Sequence, residues 1–154
     1  MEVKYILGVD PGETTGICLL CTMDGKLTDA YDIVQCNLDA ALEVISGLTR
    51  DIGRTKQLWA TEDFVVGARA GRSSSANAGA RTRGLIGQMS AMAELAGVTL
   101  VKRSASNVKP WATNERLKAA GVKGVGGHSL DGARHALFAA VKAGYCRDPL
   151  SKKA

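Results

Sequence analysis

The first residue of this sequence that could do chemistry is Asp10, which ends an apolar run and begins a proline-glycine turn. The run over 3–9 is rich in β-branched and aliphatic residues and is bounded by turn formers, which predicts a buried strand. Asp10 then lies at the carboxyl edge of that strand, where rigid backbone positions its carboxylate to hold a metal ion. The alternative is a purely structural role, because Asp before Pro-Gly is a common turn signal.

Two further acids stand where the predicted elements bring them toward Asp10. Glu62 comes near the end of the fourth predicted strand, which therefore delivers an acid as the first strand does. Asp131 lies at the start of the last predicted helix and shares a face with His128 and His135, since residues three and four apart stack along a helix. The alternatives are that Asp131 is only a first-turn acid favoured by the helix dipole and that His135 is a half-buried surface residue.

Hydrophobic periodicity and capping residues predict the elements that must position these side chains. The predicted strands cover 3–9, 17–23, 26–34, 57–64 and 98–101, and the predicted helices cover 38–53, 81–96, 104–121 in pieces and 128–143. Asn37 or Asp39 is the expected cap of the first helix, and Thr113 that of a segment over 114–120. Three hairpin strands followed by alternating units indicate an α/β fold, a mixed five-stranded sheet with helices on both faces. The segment over 67–80 has almost nothing to bury and is predicted to be a mobile exposed loop.

Length and composition are those of one globular unit. At 154 residues the chain is predicted to form a single domain over 1–154, and 45% hydrophobic with 23% charged residues excludes wholesale disorder. No apolar run reaches membrane-spanning length and no secretory signal is recognisable, so a cytoplasmic location is expected. In that compartment the four cysteines, Cys18, Cys21, Cys36 and Cys146, are expected to be free core thiols, since no second CxxC or HxxxH motif completes a zinc site.

Positive charge is concentrated in two blocks of the sequence, within a net charge of +5. Residues 65–83 hold four arginines and no acid, and residues 99–123 hold six basic residues against Glu115 alone. Such blocks attract a polyanion, and phosphate contacts by Lys and Arg are the usual source of nucleic-acid affinity. The alternative is a solvated basic face that serves solubility.

Taken together, these features resemble the ribonuclease H-like nucleases and, within them, the RuvC-type Holliday-junction resolvases. The resemblance rests on the stretch ILGVDPG over 6–12 followed by Thr15-Gly16, on ATEDF over 60–64, on Val108-Lys109, and on the pattern HxxDxxxHAL over 128–137. These stretches follow the family's order and span nearly the whole chain. The segments over 67–80 and 110–127 match the family's pattern only loosely.

The resemblance implies a metal-dependent, structure-selective DNA endonuclease of recombination and repair. It would cut branched DNA, such as Holliday junctions and forks, into nicks with 5′-phosphate and 3′-hydroxyl ends. The implied catalytic and metal-binding residues are Asp10, Glu62, His128 and Asp131. Carboxylates that flank two ions roughly 4 Å apart suit phosphodiester hydrolysis, with two Mg²⁺ ions expected and Mn²⁺ able to substitute. His128 is either a ligand or a proton-transfer group, and His135 is a candidate proton shuttle.

The resemblance also gives the basic blocks a partner, branched DNA. The expected DNA-binding residues are Arg69, Arg72, Arg81 and Arg83 near the branch and Lys102, Arg103, Lys109, Arg116 and Lys118 on the duplex arms. Trp111 either stacks on a base or packs as a core or lid aromatic. The family implies a homodimer, for which the helix over 81–96, with Met89 and Met92, is the expected interface unless the sheet covers that face.

Two other functions fit parts of the sequence. An actin-like or sugar-kinase-like phosphotransferase also opens with strand, Asp, Gly and Thr, but it needs a duplicated domain to close over ATP, which 154 residues do not supply. A non-catalytic nucleic-acid-binding member of the same fold would lack part of the acid set, whereas all four candidate ligands are present here. The expected location is the cytoplasm of a bacterium or of a phage-infected host cell.

Overall fold

The computed structural model of the chain describes residues 1–64 and 79–152. Its strands are β1 (Val3–Asp10), β2 (Thr14–Met23), β3 (Lys26–Asn37), β4 (Gln57–Glu62) and β5 (Thr99–Arg103). Its α-helices are α1 (Ala41–Thr49), α2 (Ala80–Ala96), α3 (Ala105–Val108), α4 (Asn114–Ala119) and α5 (Gly127–Lys142). Short 3₁₀ turns, Leu38–Ala40 and Arg54–Lys56, precede α1 and β4.

The five strands form one mixed sheet in the order β3-β2-β1-β4-β5. β1 pairs antiparallel with β2, and β2 with β3, whereas β1 pairs parallel with β4, and β4 with β5. The parallel pairing aligns Val9 with Thr61, so the carboxyl ends of β1 and β4 lie side by side. The predicted order of three hairpin strands and then alternating units is confirmed.

Helices cover both faces of the sheet, because successive residues of the central strand β1 point to opposite sides. Ile6 belongs to the core that the sheet forms with α4 and α5. Leu7 and Val9 belong to a second core, formed with α1 and α2 on the other face. A central strand that is buried on both faces explains why its sequence is continuously apolar.

Three glycines let α5 lie directly on the backbone of the sheet. A Cβ added to Gly8 would overlap the carbonyl oxygen of Gly132 and lie 2.7 Å from the Cβ of Ala136. A Cβ added to Gly132 would lie 2.8 Å from the carbonyl oxygen of Gly16. Because glycine in a strand often marks a close backbone approach, these residues fix the distance between α5 and the strand ends that carry the acids.

Most element boundaries follow the sequence, with small shifts. β3 continues to Asn37 instead of stopping at residue 34, because its pairing with β2 runs on to Thr14. The expected cap Thr113 is observed on α4, where it accepts from the N–H of Arg116 at 3.2 Å. Asn37 accepts from the N–H of Ala40 at 3.0 Å, but it caps the 3₁₀ turn before α1, whose own N-cap is Ala40. Of the loop predicted over 67–80, residues 67–78 lie outside the described part.

Two further observations concern the cysteines and the length of the apolar helices. All four cysteines are free thiols. Cys18 and Cys146 are buried in the core as predicted, whereas Cys21 and Cys36 are only half-buried. In the described part of the chain, no helix combines the length and the apolar character needed to cross a membrane.

Candidate active site

Asp10 is the last residue of β1, and its side chain is only 12% exposed. The turn that follows is closed by Thr15, whose hydroxyl donates to the carbonyl of Gly12 at 2.7 Å. Asp10 can therefore serve both as a turn residue and as a functional carboxylate, because the stabilised turn also fixes the position of its carboxylate.

Glu62 ends the neighbouring strand β4, and its carboxyl group shares a hydrogen bond with that of Asp10. Burial and the nearby charge of Asp10 raise the pKa of Glu62 to about 7. Burial also raises the pKa of Asp10, although the hydrogen bond from His128 opposes that shift. With a pKa of about 7 on Glu62, the pair holds a proton for part of the time near neutral pH.

His128 joins the pair from the first turn of α5. Its Nδ1 lies 3.0 Å from Oδ2 of Asp10, and its side chain remains 53% exposed. The ring thus contacts one acid and keeps an open side toward solvent. This geometry suits either of the two roles expected for it, metal ligand or proton-transfer group.

Asp131 lies about one turn further along α5 and is bound by two cations. Its Oδ2 accepts from Nζ of Lys109 at 2.9 Å, and its Oδ1 accepts from Nε of Arg134 at 3.1 Å. The charge of Asp131 also contributes to the raised pKa values of Asp10 and Glu62, so the three carboxylates form one electrostatic cluster. The fold brings all four predicted residues to one edge of the sheet, as expected.

Lys109 belongs to this cluster as well, although it was expected on a duplex arm. The pKa of Lys109 is raised, first by its hydrogen bond to Asp131 and further by the charges of Asp10 and Glu62. Its ammonium group therefore supplies part of the positive charge that the carboxylates attract.

His135 is buried, with 3% of its surface exposed, so the alternative of a half-buried surface histidine is wrong. Burial lowers the pKa of His135 to about 4, against the smaller opposing effect of Asp131. The ring is consequently neutral at pH 7. A role as proton shuttle stays a prediction, and it would have to proceed through the neutral imidazole.

The donor types of the cluster fit a hard divalent cation, since carboxylate oxygens with one imidazole suit Mg²⁺ and Mn²⁺. Burial, and to a smaller extent the neighbouring carboxylates, raises the pKa values of Asp10 and Glu62, and a divalent cation at this edge would favour their ionised forms. Within residues 1–64 and 79–152, however, no three His, Cys, Asp or Glu side chains are already arranged as ligands of one ion. Each oxygen of Asp131 accepts one hydrogen bond from a cation, so a metal ion bound there would share this carboxylate with Lys109 and Arg134.

The residues expected to bind DNA fall into different environments. Arg69 and Arg72 lie outside the described residues. Arg81 bridges Glu13 at 2.7 Å and Asp39 at 2.6 Å, which ties the start of α2 to the turn after Asp10. Arg83 lies on the first turns of α2, Lys102 and Lys118 are exposed, and the guanidinium of Arg103 lies 5.1 Å from the ring centroid of Phe138.

Arg116 and Trp111 form a stacked pair instead of an open surface. The guanidinium of Arg116 lies 4.4 Å from the ring centroid of Trp111 and also bonds the carboxylate of Asp148 at 2.8 Å. The Trp111 ring meets Phe138 edge-on, with centroids 5.2 Å apart. Trp111 therefore packs as a lid aromatic with Arg116 over its face, which leaves Arg116 only 17% exposed for any phosphate contact.

The expected interface helix α2 presents a different face from the one predicted. Met89 is fully buried in the core under the sheet, so its predicted place in a dimer contact is wrong. The physical reason is that α2 must cover Leu7 and Val9, and its broad apolar face serves that purpose. The exposed residues on the outward side of α2 include Gly84, Gly87, Gln88, Ala91, Glu94 and Leu95, of which Leu95 is 91% exposed.

Sequence reasoning missed Gln35, whose amide oxygen accepts from the backbone N–H groups of His128 at 3.1 Å and Ser129 at 3.2 Å. A glutamine in a strand carries no local signal for such a contact. Arg134 was also missed, although its position three residues after Asp131 was a usable signal.

No family model matches the sequence, and no curated protein matches it. Among solved structures, T. thermophilus RuvC in complex with a Holliday junction substrate matches with a TM-score of 0.65 and 16% identity, over 90% of this chain and 94% of that chain. The large terminase of a thermophilic bacteriophage has a TM-score of 0.38 and 16% identity over 64% of this chain and 22% of that chain, too low to carry an argument. The same holds for the Aquifex aeolicus member of the Ppx/GppA family, with a TM-score of 0.43 and 10% identity over 77% of this chain and 40% of that chain. The first match confirms the predicted fold, which is that of RuvC within the ribonuclease H-like class.

Proposed function

We propose that this chain is a single-domain, divalent-metal-dependent endonuclease that cuts branched DNA by hydrolysing phosphodiester bonds. The observation that supports it best is the convergence of Asp10, Glu62 and Asp131 at one edge of a RuvC-like sheet. A structural role alone gives no reason to bury Glu62 beside two other acids, where burial and the charge of Asp10 raise its pKa to about 7.

Asp10, Glu62, His128 and Asp131 are proposed to hold the metal, two Mg²⁺ ions or Mn²⁺ in their place. When bound, the ions would activate water and stabilise the leaving oxygen, with 5′-phosphate and 3′-hydroxyl ends as products. The chain itself fixes the acids on rigid strand ends, and His128 holds one oxygen of Asp10 at 3.0 Å. Lys109 is proposed to offer positive charge to the scissile phosphate, which its ion pair with Asp131 at 2.9 Å supports.

Branched DNA, a four-way junction or a fork, is the proposed substrate. Lys102 on β5 and Lys118 on α4 are exposed cations in the described part of the chain, and Arg69 and Arg72 are proposed to add charge near the branch. The similar RuvC structure holds a Holliday junction substrate, which supports this choice. A net charge of +5 favours association with any nucleic acid, so shape selectivity must come from the surface around the acids.

The decisive experiment incubates the purified chain with labelled four-way junction, three-way fork and plain duplex DNA. Each substrate is tested with Mg²⁺, with Mn²⁺ and with EDTA. Metal-dependent cuts near the branch, with ligatable ends, are the expected result. Tight binding without cleavage in any metal would instead favour the non-catalytic nucleic-acid-binding alternative, which the engagement of Asp131 by Lys109 and Arg134 makes worth testing.

A homodimer through the outward face of α2 is part of the proposal. Gly84 and Gly87 have open space beside them, and Leu95 is 91% exposed, so a second helix can approach closely there. Leu95→Glu is expected to shift the protein from dimer to monomer in light scattering, because it replaces the large exposed apolar side chain of this face by a charged one. Glu94→Gln, a neighbouring exposed position, is the control. A wild-type chain that is monomeric at micromolar concentration would contradict the interface.

The metal-free protein offers a test of the raised pKa of Glu62. Because this pKa is about 7 in the folded state and near 4.5 ordinarily, the folded state binds a proton that the unfolded state releases, and stability falls as pH rises through this window. Glu62→Gln is therefore expected to gain stability relative to the wild type between pH 5 and pH 8, measured by urea unfolding in EDTA.

The difference between the two proteins, and not the wild-type curve alone, is the useful quantity. Burial lowers the pKa of His135 to about 4, so His135 makes stability rise with pH below about 6.5 and opposes the effect of Glu62. The exposed acid Glu43 on α1 supplies a control, Glu43→Gln. If the stability of the wild type and of Glu62→Gln depended on pH in the same way, the raised pKa of Glu62 would be refuted.

A further inference from the structure

One row of the sheet runs under the first turn of α5. Asp10 on β1 pairs with Gly16 on β2, and Gly16 pairs in turn with Gln35 on β3. The three side-chain positions therefore lie in line across three neighbouring strands. Asp10 contributes a carboxylate, Gly16 only its backbone, and Gln35 an amide side chain.

His128 rests on this row at three points. Its ring Nδ1 lies 3.0 Å from Oδ2 of Asp10, and its backbone N–H donates to Oε1 of Gln35 at 3.1 Å. Between them, its carbonyl group lies so close to Gly16 that an added Cβ would overlap it. The backbone of residue 128 is thus held on one side by Gln35 and its ring on the other side by Asp10.

Gln35 also serves as the helix cap that α5 does not supply itself. The helix begins at Gly127 after Gly126, and neither residue has a side chain to accept from the first N–H groups. The hydroxyl of Ser129 is engaged with the N–H groups of Val125 at 3.0 Å and Gly126 at 3.1 Å. The amide oxygen of Gln35 accepts hydrogen bonds from the N–H groups of both His128 and Ser129, which lie 93 and 94 residues after Gln35 in the sequence.

We propose that Gln35 is a positioning residue of the active site, which fixes the first turn of α5 on β3 and thereby holds His128 against Asp10. The inference rests on the proposed function for its consequence, namely that Gln35 sets the affinity of the site for a divalent ion without touching ion or substrate. Partners that orient a ligand in this way typically change metal affinity by about 10- to 100-fold when they are removed.

Three variants test the role of Gln35. Gln35→Met keeps the length of the side chain but removes the acceptor, and Gln35→Glu restores an acceptor for both N–H groups. Thr113→Val removes a cap of the same kind from α4, where Thr113 accepts from the N–H of Arg116 at 3.2 Å, and serves as the matched control. Mn²⁺ affinity is measured by calorimetry. Each variant is also examined by amide hydrogen exchange and by nitrogen-15 NMR of the His128 imidazole ring.

Gln35→Met is expected to bind Mn²⁺ about tenfold more weakly, to exchange the amides of His128 and Ser129 faster, and to alter the Nδ1 signal of His128. Gln35→Glu is expected to recover all three properties, and Thr113→Val to keep them. Unchanged exchange and an unchanged Nδ1 signal in Gln35→Met would overturn the proposal, as would equal losses in Thr113→Val. If the wild type binds no Mn²⁺, the proposed function fails, while the exchange and nitrogen spectra still decide whether Gln35 positions His128.

Discussion

Asp10→Asn is expected to lower the rate of cleavage of branched DNA by about 10³-fold or more, while DNA affinity stays close to that of the wild type. An amide is neutral and offers one oxygen, so the site loses both charge and a ligand atom at its most buried position. A bound divalent ion supplies several kcal/mol of transition-state stabilisation, and each ~1.4 kcal/mol corresponds to a factor of ten in rate. Single-turnover cleavage of a four-way junction in Mg²⁺ and in Mn²⁺ measures the effect.

Stability provides an independent check on the same variant. Because burial and the charge of Asp131 raise the pKa of Asp10, its neutral replacement is expected to leave the metal-free protein at least as stable as the wild type in EDTA at pH 8. Asp29→Asn, at an exposed position of β3, is the control and is expected to retain full activity. Unchanged cleavage by Asp10→Asn would remove this residue from the site, and a large loss of stability would assign it a mainly structural role.

Gly8→Ala is expected to destabilise the protein by about 3 kcal/mol or more, because the added methyl group overpacks the contact between β1 and α5. The new Cβ would overlap the carbonyl oxygen of Gly132 and lie 2.5 Å from the backbone nitrogen of Ala136. Neither contact involves a flexible side chain, so β1 or the whole of α5 must move. Overpacking of a close-packed core costs about 1–3 kcal/mol, and more when backbone has to shift.

Gly47→Ala is the matched control for this substitution. Gly47 lies within α1, is exposed and has nothing near the position of an added Cβ. There, alanine is expected to stabilise the protein by about 0.5–1 kcal/mol, because glycine is a poor helix former. Urea unfolding at pH 7 measures both variants. Equal effects of the two substitutions would show that α5 does not rest on the backbone of β1.

The positions of the acids were predictable because they depend on local patterns. A continuous apolar run that ends in Asp10 indicates a buried strand, and a similar run places Glu62 at the end of its neighbour. The spacing of His128, Asp131 and His135 fixes their common helix face without any knowledge of what that face meets. The order of hairpin strands and alternating units then limits the sheet to few topologies, among which parallel pairing of β1 and β4 brings the acids together.

The α2 helix shows where the same reasoning fails. Its apolar residues predicted an exposed contact, whereas Met89 is fully buried against the sheet. A helical pattern reports that a face is apolar, but not which surface covers it. That choice depends on where the sheet lies, and here α2 covers the strands that α5 leaves open on the opposite face.

The sequence by itself determined the identity of the acids, the elements that carry them and the class of sheet, because strands, helices and caps are encoded by neighbouring residues. Only the tertiary structure decided that Lys109 binds Asp131, that Gln35 caps α5 and that Gly8 receives the backbone of Gly132. The hydrogen bond of Lys109 to Asp131 joins residues 22 positions apart, and that of His128 to Gln35 joins residues 93 positions apart. No periodicity in the sequence links positions so distant. These contacts form only when α5 packs on the sheet, and the distance between α5 and the sheet then fixes the geometry of the site.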